Sequence, residues 1–422
     1  MKFLHTSDWH LGRTLHGADL TSAFEKWCAH VVEVARTELV DALLISGDVY
    51  DRGVPPLPMV DLLSETLAEL SEFTQVIATS GNHDSPRRLG FASGLLRPTL
   101  SIVTDSLTGC SPIPVVSGGE LAGVVYALPY LDPDFERARL VEGEVLARSH
   151  EAVVGAALGR IAGSLSTGAG SVDGARVPVV VMAHEFVVGG EPSDSERDLR
   201  IGGVDSVPAG LFRIGEVDGA GAGKGSRAGK RAGAGQEGTK GAGTGDSGLI
   251  DYVALGHLHR PQRVGGPDGP VMRYSGSPIA FSFSEENHKK SSVLVTIEDG
   301  TVSTELIDAP VDRPLATVTG TLEELLSRKY DGLREHFLRV RVTDPERPRD
   351  LSARIKKVFP HALDIQDLSE RTRINAAQIA AVREDPLGTL GDFFAEAGGR
   401  DVTADEKATL EAALLAAEGQ VL

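Results

Sequence analysis

The chain has 422 residues, with 42 Lys+Arg against 60 Asp+Glu, 41% hydrophobic residues and 5% aromatics. Its length suits two or three domains at roughly 100–200 residues each, and its 24% charged content excludes a wholly disordered or collagen-like chain. A net charge of −18 argues against a simple nucleic-acid-binding module, which would carry its phosphate contacts on Lys and Arg. No stretch approaches the roughly 20 apolar residues of a membrane span. The opening MKFLHTSDWH turns polar too soon for a signal peptide, so a soluble, cytoplasmic protein is expected. Cys28 and Cys110 alone make neither a disulfide framework nor a thiolate metal site.

In chain order, a strand over Lys2–Thr6 runs into Ser7-Asp8-Trp9-His10. A helix follows, with Leu20, Phe24, Trp27, Val31 and Val34 near a 3.6-residue period, and Ser22 and Glu25 at the spacing of a capping box. A buried strand over Ala42–Ser46 leads to Gly47-Asp48. Pro55–Pro58 then starts a helix carrying Met59, Leu62, Leu63, Leu67 and Leu70. Val76–Thr79 is a strand ending in Ser80-Gly81-Asn82-His83-Asp84, and further apolar strands are read at Val124–Leu128, Val177–Met182 and Tyr252–Leu255. Residues 168–174 read as a short surface loop. Residues 215–248 are Gly/Ala-rich and too poor in apolar surface to fold, so a disordered insertion is expected there. Ser292–Ile297 and Thr301–Ile307 flank Asp299-Gly300 as a hairpin. A smaller α+β unit follows: strand Leu315–Val318, helix Leu322–Arg328, strand Leu338–Val342 and helix Leu351–Val358. The last 40 or so residues read as helical, with one stripe of Leu387, Leu390, Phe393 and Phe394 and another of Leu410, Leu414 and Leu415.

Polar residues sit directly after the strands: Asp8 and His10, Asp48, Asn82 and His83, His184, then His257 and His259. In layered α/β folds, sites collect at the carboxyl ends of strands, so these five ends are expected to meet. Asp8, His10, Asp48, Asn82, His184, His257 and His259 make a mixed oxygen and nitrogen donor set without sulfur. That set suits manganese, iron or zinc better than calcium and is too large for one tetrahedral ion. Two ions sharing a bridging carboxylate would use it, in the arrangement that activates water against a phosphoester.

These motifs resemble the calcineurin-like metallophosphoesterases: Asp8-x-His10, Gly47-Asp48, Gly81-Asn82-His83-Asp84, His184 and Gly256-His257-x-His259. Within that family the chain is similar to the bacterial SbcD nuclease subunits, in SDWHLGR (7–13), SGDVYDRGVPP (46–56), SGNHDSPRRL (80–89), AHEFVVGGEPSDSER (183–197), GHLHRPQ (256–262) and YSGSPIAFSFSE (274–285). The resemblance implies an α/β fold: a layered β-sandwich flanked by helices over 1–309, a smaller α+β capping domain over 310–382 and C-terminal helices over 383–422 that dock a partner.

By the same resemblance, Asp8, His10, Asp48 and His259 would hold one metal, and Asp48, Asn82, His184 and His257 the other, most often Mn2+. His83 would be the catalytic acid at the leaving oxygen, oriented by Asp84. Asp51 stands where archaeal and eukaryotic relatives often carry a further histidine. The implied activity is 3′→5′ exonuclease action on duplex DNA ends and endonuclease action on single strands and hairpins, in DNA repair, recombination and replication. The implied partners are an SbcC-like ATPase and a second copy of the chain. A metal-dependent phosphomonoesterase or phosphoprotein phosphatase is the alternative, because Gly47-Asp48-Val49-Tyr50-Asp51-Arg52-Gly53 resembles the Gly-Asp-x-x-Asp-Arg-Gly phosphatase signature. Against it, that class typically has Glu where Asp84 stands.

Overall fold

The computed structural model describes residues 1–172, 174–196, 206–215, 248–369, 388 and 402–418. Nearly all of the 215–248 insertion, and the stripe of Leu387, Leu390, Phe393 and Phe394, lie outside the described residues. The chain divides into two compact units, Met1–Ala316 and Thr317–Leu422.

The first unit begins with four parallel strands, β1 (Lys2–Thr6), β2 (Ala42–Ser46), β3 (Gln75–Thr79) and β4 (Leu100–Val103). Helix α1 (Thr21–Thr37) connects β1 to β2, and α2 (Leu57–Leu70) connects β2 to β3. Parallel neighbours need such crossovers, because a tight turn cannot return the chain in the same direction. Helix α1 buries Phe24, Trp27, Val31 and Ala35 on one stripe. Its expected capping box is absent. The helix starts one residue before Ser22, at Thr21, and Asp19 Oδ1 accepts from Thr21 N (2.7 Å) and Oγ1 (2.6 Å). Ser22 Oγ donates instead to Asp312 Oδ1, at 3.2 Å.

Next come β5 (Ile113–Ser117), β6 (Glu120–Ala127), α3 (His150–Ser164) and β7 (Val179–His184). Ahead of β7, the expected loop over 168–174 contains a two-stranded ladder, Ser171–Val172 with Ala175–Arg176, turned at a left-handed Gly174. The unit continues through β8 (Tyr252–Gly256), β9 (Gln262–Val264), β10 (Val271–Tyr274), β11 (Ser291–Glu298) and β12 (Thr301–Asp308). Left-handed Asp299 and Gly300 turn the hairpin between β11 and β12, as read from the sequence.

Two six-stranded mixed sheets result, in the orders β12-β11-β1-β2-β3-β4 and β9-β10-β8-β7-β6-β5. Phe3, Leu44 and Ile77 of the first and Val125, Val180, Met182 and Ala254 of the second form one buried cluster. Residues one step along, Val179, Val181, Val253 and Leu255, point the other way and pack with Val153, Val154, Ala157 and Ile161 of α3. Every residue of β2 and β7 is buried, as strands covered on both faces require. This is the expected α/β sandwich flanked by helices.

β13 (Leu315–Gly320), which begins two residues before the second unit, β14 (Phe337–Val342) and β15 (Ala362–Asp367) form a sheet in that order, with α4 (Leu351–Val358) crossing between the parallel β14 and β15. The helix expected over Leu322–Arg328 stops at Leu325, after a capping box of Thr321 and Glu324. Ser327 then turns extended and caps a 3-10 turn over Arg328–Leu333. Helix α5 (Ala404–Glu418) is the last described element.

Candidate metal centre

Parallel pairing decides where the polar residues arrive. Thr6 pairs with Ile45 and Ser46 with Thr79 in the first sheet, and Gly256 lies beside His184 in the second. The loops after β1, β2, β3, β7 and β8 therefore leave the sandwich at one end. The sheets meet there, where His184 Nδ1 donates to the Ser46 carbonyl at 2.9 Å.

The loops are laced together by backbone. Asp8 N donates to Gly47 O, and His10 N to Asp48 O, each at 3.0 Å. Asp8 (φ 55°), His10 (φ 45°), Asp48 (φ 49°) and His257 (φ 102°) all sit at positive φ, which costs a non-glycine residue roughly 1–3 kcal/mol. Four such residues in one pocket mark a conformation imposed by the surrounding structure. Glycine is required at Gly81, where a Cβ would overlap the Asp48 carboxylate, and at Gly256, where it would overlap the Ser46 carbonyl oxygen. Gly256→Ala is thus expected to cost about 3 kcal/mol, the scale of an overpacked core, measured by urea unfolding of metal-free protein. Unchanged stability would contradict this close approach.

The side chains converge as the sequence suggests. Ligating atoms of Asp8, His10 and His259 lie within 4.8 Å of one another, and so do those of Asp8, Asp48 and His184, and those of His10, Asp48 and His83. His10 Nε2 faces His259 Nε2 at 3.1 Å, and Asp48 Oδ2 is 3.6 Å from His10 Nε2 and 3.3 Å from His184 Nε2. Asn82 Oδ1 is 3.0 Å from His184 Nε2. The His257 ring centre is 5.5 Å from that of His184, and its backbone N–H donates to both Asp8 oxygens at 3.0 and 3.1 Å. Asp8, His10, Asp48, His184, His257 and His259 are buried, whereas Asn82 and His83 are half-buried at the open side.

The electrostatics are those of a pocket short of positive charge. Among the described residues, neither Asp8 nor Asp48 ion-pairs with Lys or Arg. Burial pushes Asp8 up to about 6, against the pull of His184 and His259. Burial also opposes the charge on Asp48, but the adjacent His184 outweighs it and holds that carboxyl well below its usual range. His184 is raised to about 10 despite burial, through Asp48. Its Nδ1 donates to a carbonyl and its Nε2 faces Asp48 and Asn82 oxygens, so both ring nitrogens carry protons. Burial lowers His257 to about 3 and His10 well below its ordinary value, leaving neutral imidazoles. Once His184 gives up its Nε2 proton, a histidine and carboxylate set without sulfur fits divalent manganese, iron or zinc.

Asp84 does not take the place expected of it. Its Oδ2 accepts from Val49 N (3.0 Å) and Gly81 N (2.9 Å), and its Oδ1 from Tyr50 N (2.9 Å). It ties the loop after β2 to the loop after β3, because those loops present three backbone donors to one buried carboxylate. The His83 imidazole is oriented instead by Asp51, whose carbonyl accepts from Nδ1 at 2.8 Å. The His83 backbone N–H donates to Asp48 Oδ1 at 2.9 Å. Beside His83 a cleft of ≈ 420 Å³ is lined by Arg13, Thr14, Asp51, Arg52 and Gly53.

Behind His259 stand residues to which sequence pattern alone assigns no role: Ser195, Glu196, Glu285 and Lys290. Glu196 Oε1 accepts from His259 N at 2.7 Å, and Lys290 Nζ donates to His259 O at 2.9 Å. Glu285 is 1% exposed, and although burial opposes its charge, Lys290 holds its carboxyl well below the usual range. For Ser195, Glu196 and Glu285 the only signal is membership in the motifs at 183–197 and 274–285.

Two family models match the chain. One described as calcineurin-like phosphoesterase matches residues 1–145, and the SbcD C-terminal model, described as type 5 capsule protein repressor C-terminal domain, matches residues 311–397. The first match contains Asp8, His10, Asp48, Asn82 and His83. His184, His257 and His259 lie beyond both matches, and their place beside the others rests on the geometry above.

Proposed function

Because the chain belongs to the calcineurin-like metallophosphoesterases, as an SbcD-like member, we propose that it is a DNA nuclease subunit. It cuts duplex ends with 3′→5′ polarity, and single strands and hairpins internally. Its family hydrolyses phosphoesters with divalent metals, and the chain carries Asp/His clusters able to hold them. The observation that carries the DNA reading is the SbcD C-terminal match at 311–397 in the same chain as this site, since a phosphatase would need the site alone.

Asp8, His10, Asp48 and His259 would hold one ion and Asp48, Asn82, His184 and His257 the other, with manganese the preferred metal. Bound there, such ions would polarise the phosphoester and activate a water. The chain's own residues do the rest. Asp48 bridges the two ligand sets, and Gly81 lets its loop approach that carboxylate closely. His83, with Nδ1–H donated to Asp51, keeps Nε2 for carrying a proton to the leaving oxygen. Residues 1–309 act as the nuclease domain, 310–382 as a cap, and 383–422 dock an SbcC-like ATPase, in an assembly with two copies of each chain. The partner supplies much of the DNA contact, which fits a chain of net charge −18.

An ion that takes His184 Nε2 displaces its proton. Manganese binding at pH 7.5 is therefore expected to release about one proton per chain, measured by calorimetry in buffers of different ionisation enthalpy. Affinity rises about tenfold per pH unit from about 6.5 towards 9. In metal-free protein the sign is opposite. A folded value above the unfolded one gives stability that is full below about 6.5 and is lost as pH rises through about 10. A binding reaction without proton release would remove His184 from the ligand set.

The nuclease function is tested with an end-labelled duplex, a hairpin and p-nitrophenyl phosphate, each with manganese, with and without the ATPase partner. DNA cleavage supports the nuclease. Turnover of the aryl phosphate alone, even with the partner, overturns it in favour of the phosphatase that the 47–53 segment resembles.

A further inference from the structure

Lys290 and Glu285 are a buried lysine and carboxylate that stand directly behind one metal-ligand candidate, His259. Lys290 Nζ uses its three protons on the His259 carbonyl (2.9 Å), Ser277 Oγ (2.9 Å) and Glu285 Oε2. Glu285 Oε1 accepts from Ser195 Oγ, and Ser195 Oγ lies 2.5 Å from His259 Nδ1. Side-chain exposure is 5% for Lys290 and 0% for Glu285, so water does not compete for these bonds.

The ion pair of Lys290 and Glu285 orders the protons along this chain of hydrogen bonds. An ionised carboxylate beside an ammonium accepts and never donates. The single hydroxyl proton of Ser195 is thereby committed to Glu285, and Ser195 oxygen is left to accept. His259 Nδ1 must then carry a proton, and in the neutral imidazole Nε2 keeps its lone pair. That Nε2 is the atom that faces His10 Nε2 in the pocket. Glu196, at 2.7 Å from His259 N, and Lys290, at its carbonyl, fix the backbone on either side of the same ring.

We propose that Lys290, Glu285 and Ser195 are positioning residues that hold His259 in the Nδ1–H tautomer and aim its Nε2 at the metal. Partners behind a ligating histidine fix its tautomer and orientation, and their loss typically costs about 10–100-fold in metal affinity. The proposal rests on the reading of His259 as a metal ligand. It also gives a role to the Ser-Asp-Ser-Glu run (193–196) and to the Phe-Ser-Phe-Ser-Glu run (281–285).

The test uses the full chain with Ser195→Ala, Ser195→Thr and Glu285→Gln. Nitrogen-15 spectra of histidine-labelled, metal-free protein report the tautomer directly, and manganese titration calorimetry reports affinity. Wild-type protein is expected to show His259 as Nδ1–H. Ser195→Ala is expected to lose that state and to weaken one of two manganese sites about 10–100-fold, with Ser195→Thr restoring both. An Nε2–H tautomer in the wild type overturns the proposal, as do unaltered spectra and affinity in both Ser195→Ala and Glu285→Gln. Wild-type protein that binds no manganese would instead overturn the metal-centre reading, while the tautomer measurement still judges the hydrogen-bond chain.

Discussion

Asp48→Ala is expected to strip both divalent ions and to lower DNA cleavage by about 10³–10⁴-fold. The reason is geometric. Asp48 Oδ2 lies 3.6 Å from His10 Nε2 and 3.3 Å from His184 Nε2, so one carboxylate is within reach of both proposed ligand sets. Metal ions contribute several kcal/mol of charge stabilisation in phosphoester hydrolysis, and each 1.4 kcal/mol or so is tenfold in rate. The same residue also accepts the His83 N–H at 2.9 Å, so alanine leaves that donor without its acceptor. Asp48→Asn separates the two contributions: it keeps an oxygen for His83 but loses the charge that binds metal. Metal content from equilibrium dialysis and elemental analysis is the measurement. One fully occupied ion in Asp48→Ala would contradict a bridging role.

His83→Gln is expected to lower cleavage about 10²–10⁴-fold, the usual range for a lost acid–base group, with metal content unchanged. The position is a discriminating one, because His83 also lies within ligand distance of His10 and Asp48. Its Nδ1 is already engaged by the Asp51 carbonyl and its ring is half-exposed, whereas the proposed histidine ligands are buried. A fall in bound metal equal to the fall in activity would make His83 a ligand. Asp84→Asn is expected to act differently, through stability, since its carboxylate ties two loops by three backbone bonds.

The pocket is legible in the amino-acid sequence because its residues follow strand ends. Short, mostly apolar strands such as Ala42–Ser46 and Tyr252–Leu255 announce themselves, and polar residues recur directly after them. Parallel pairing then carries those residues to one end, which is a property of topology rather than of any motif. Helix α3 escapes pattern reading because Gly155, Gly159 and Gly163 dilute its apolar period. Edge strands such as β5 and β9 escape it because Pro114 makes β5 read as a break and β9 is only three residues long. Asp84 misleads for a different reason. Adjacency to His83 suggests contact, but the chain bends at Asn82–Asp84, and Asp84 turns inward to the backbone donors while His83 turns to the Asp51 carbonyl. Ser195, Glu285 and Lys290 reach His259 from far along the chain, and spacing alone does not show that.

Two metal ions bridged by Asp48 at the joined strand ends are the centre of the proposed chemistry. Crystals grown with manganese and measured at its absorption edge test that directly. Two anomalous peaks about 3.5–4 Å apart are predicted, one among Asp8, His10 and His259 and the other among Asn82, His184 and His257, with Asp48 between them. A single peak, or peaks away from Asp48, would contradict it.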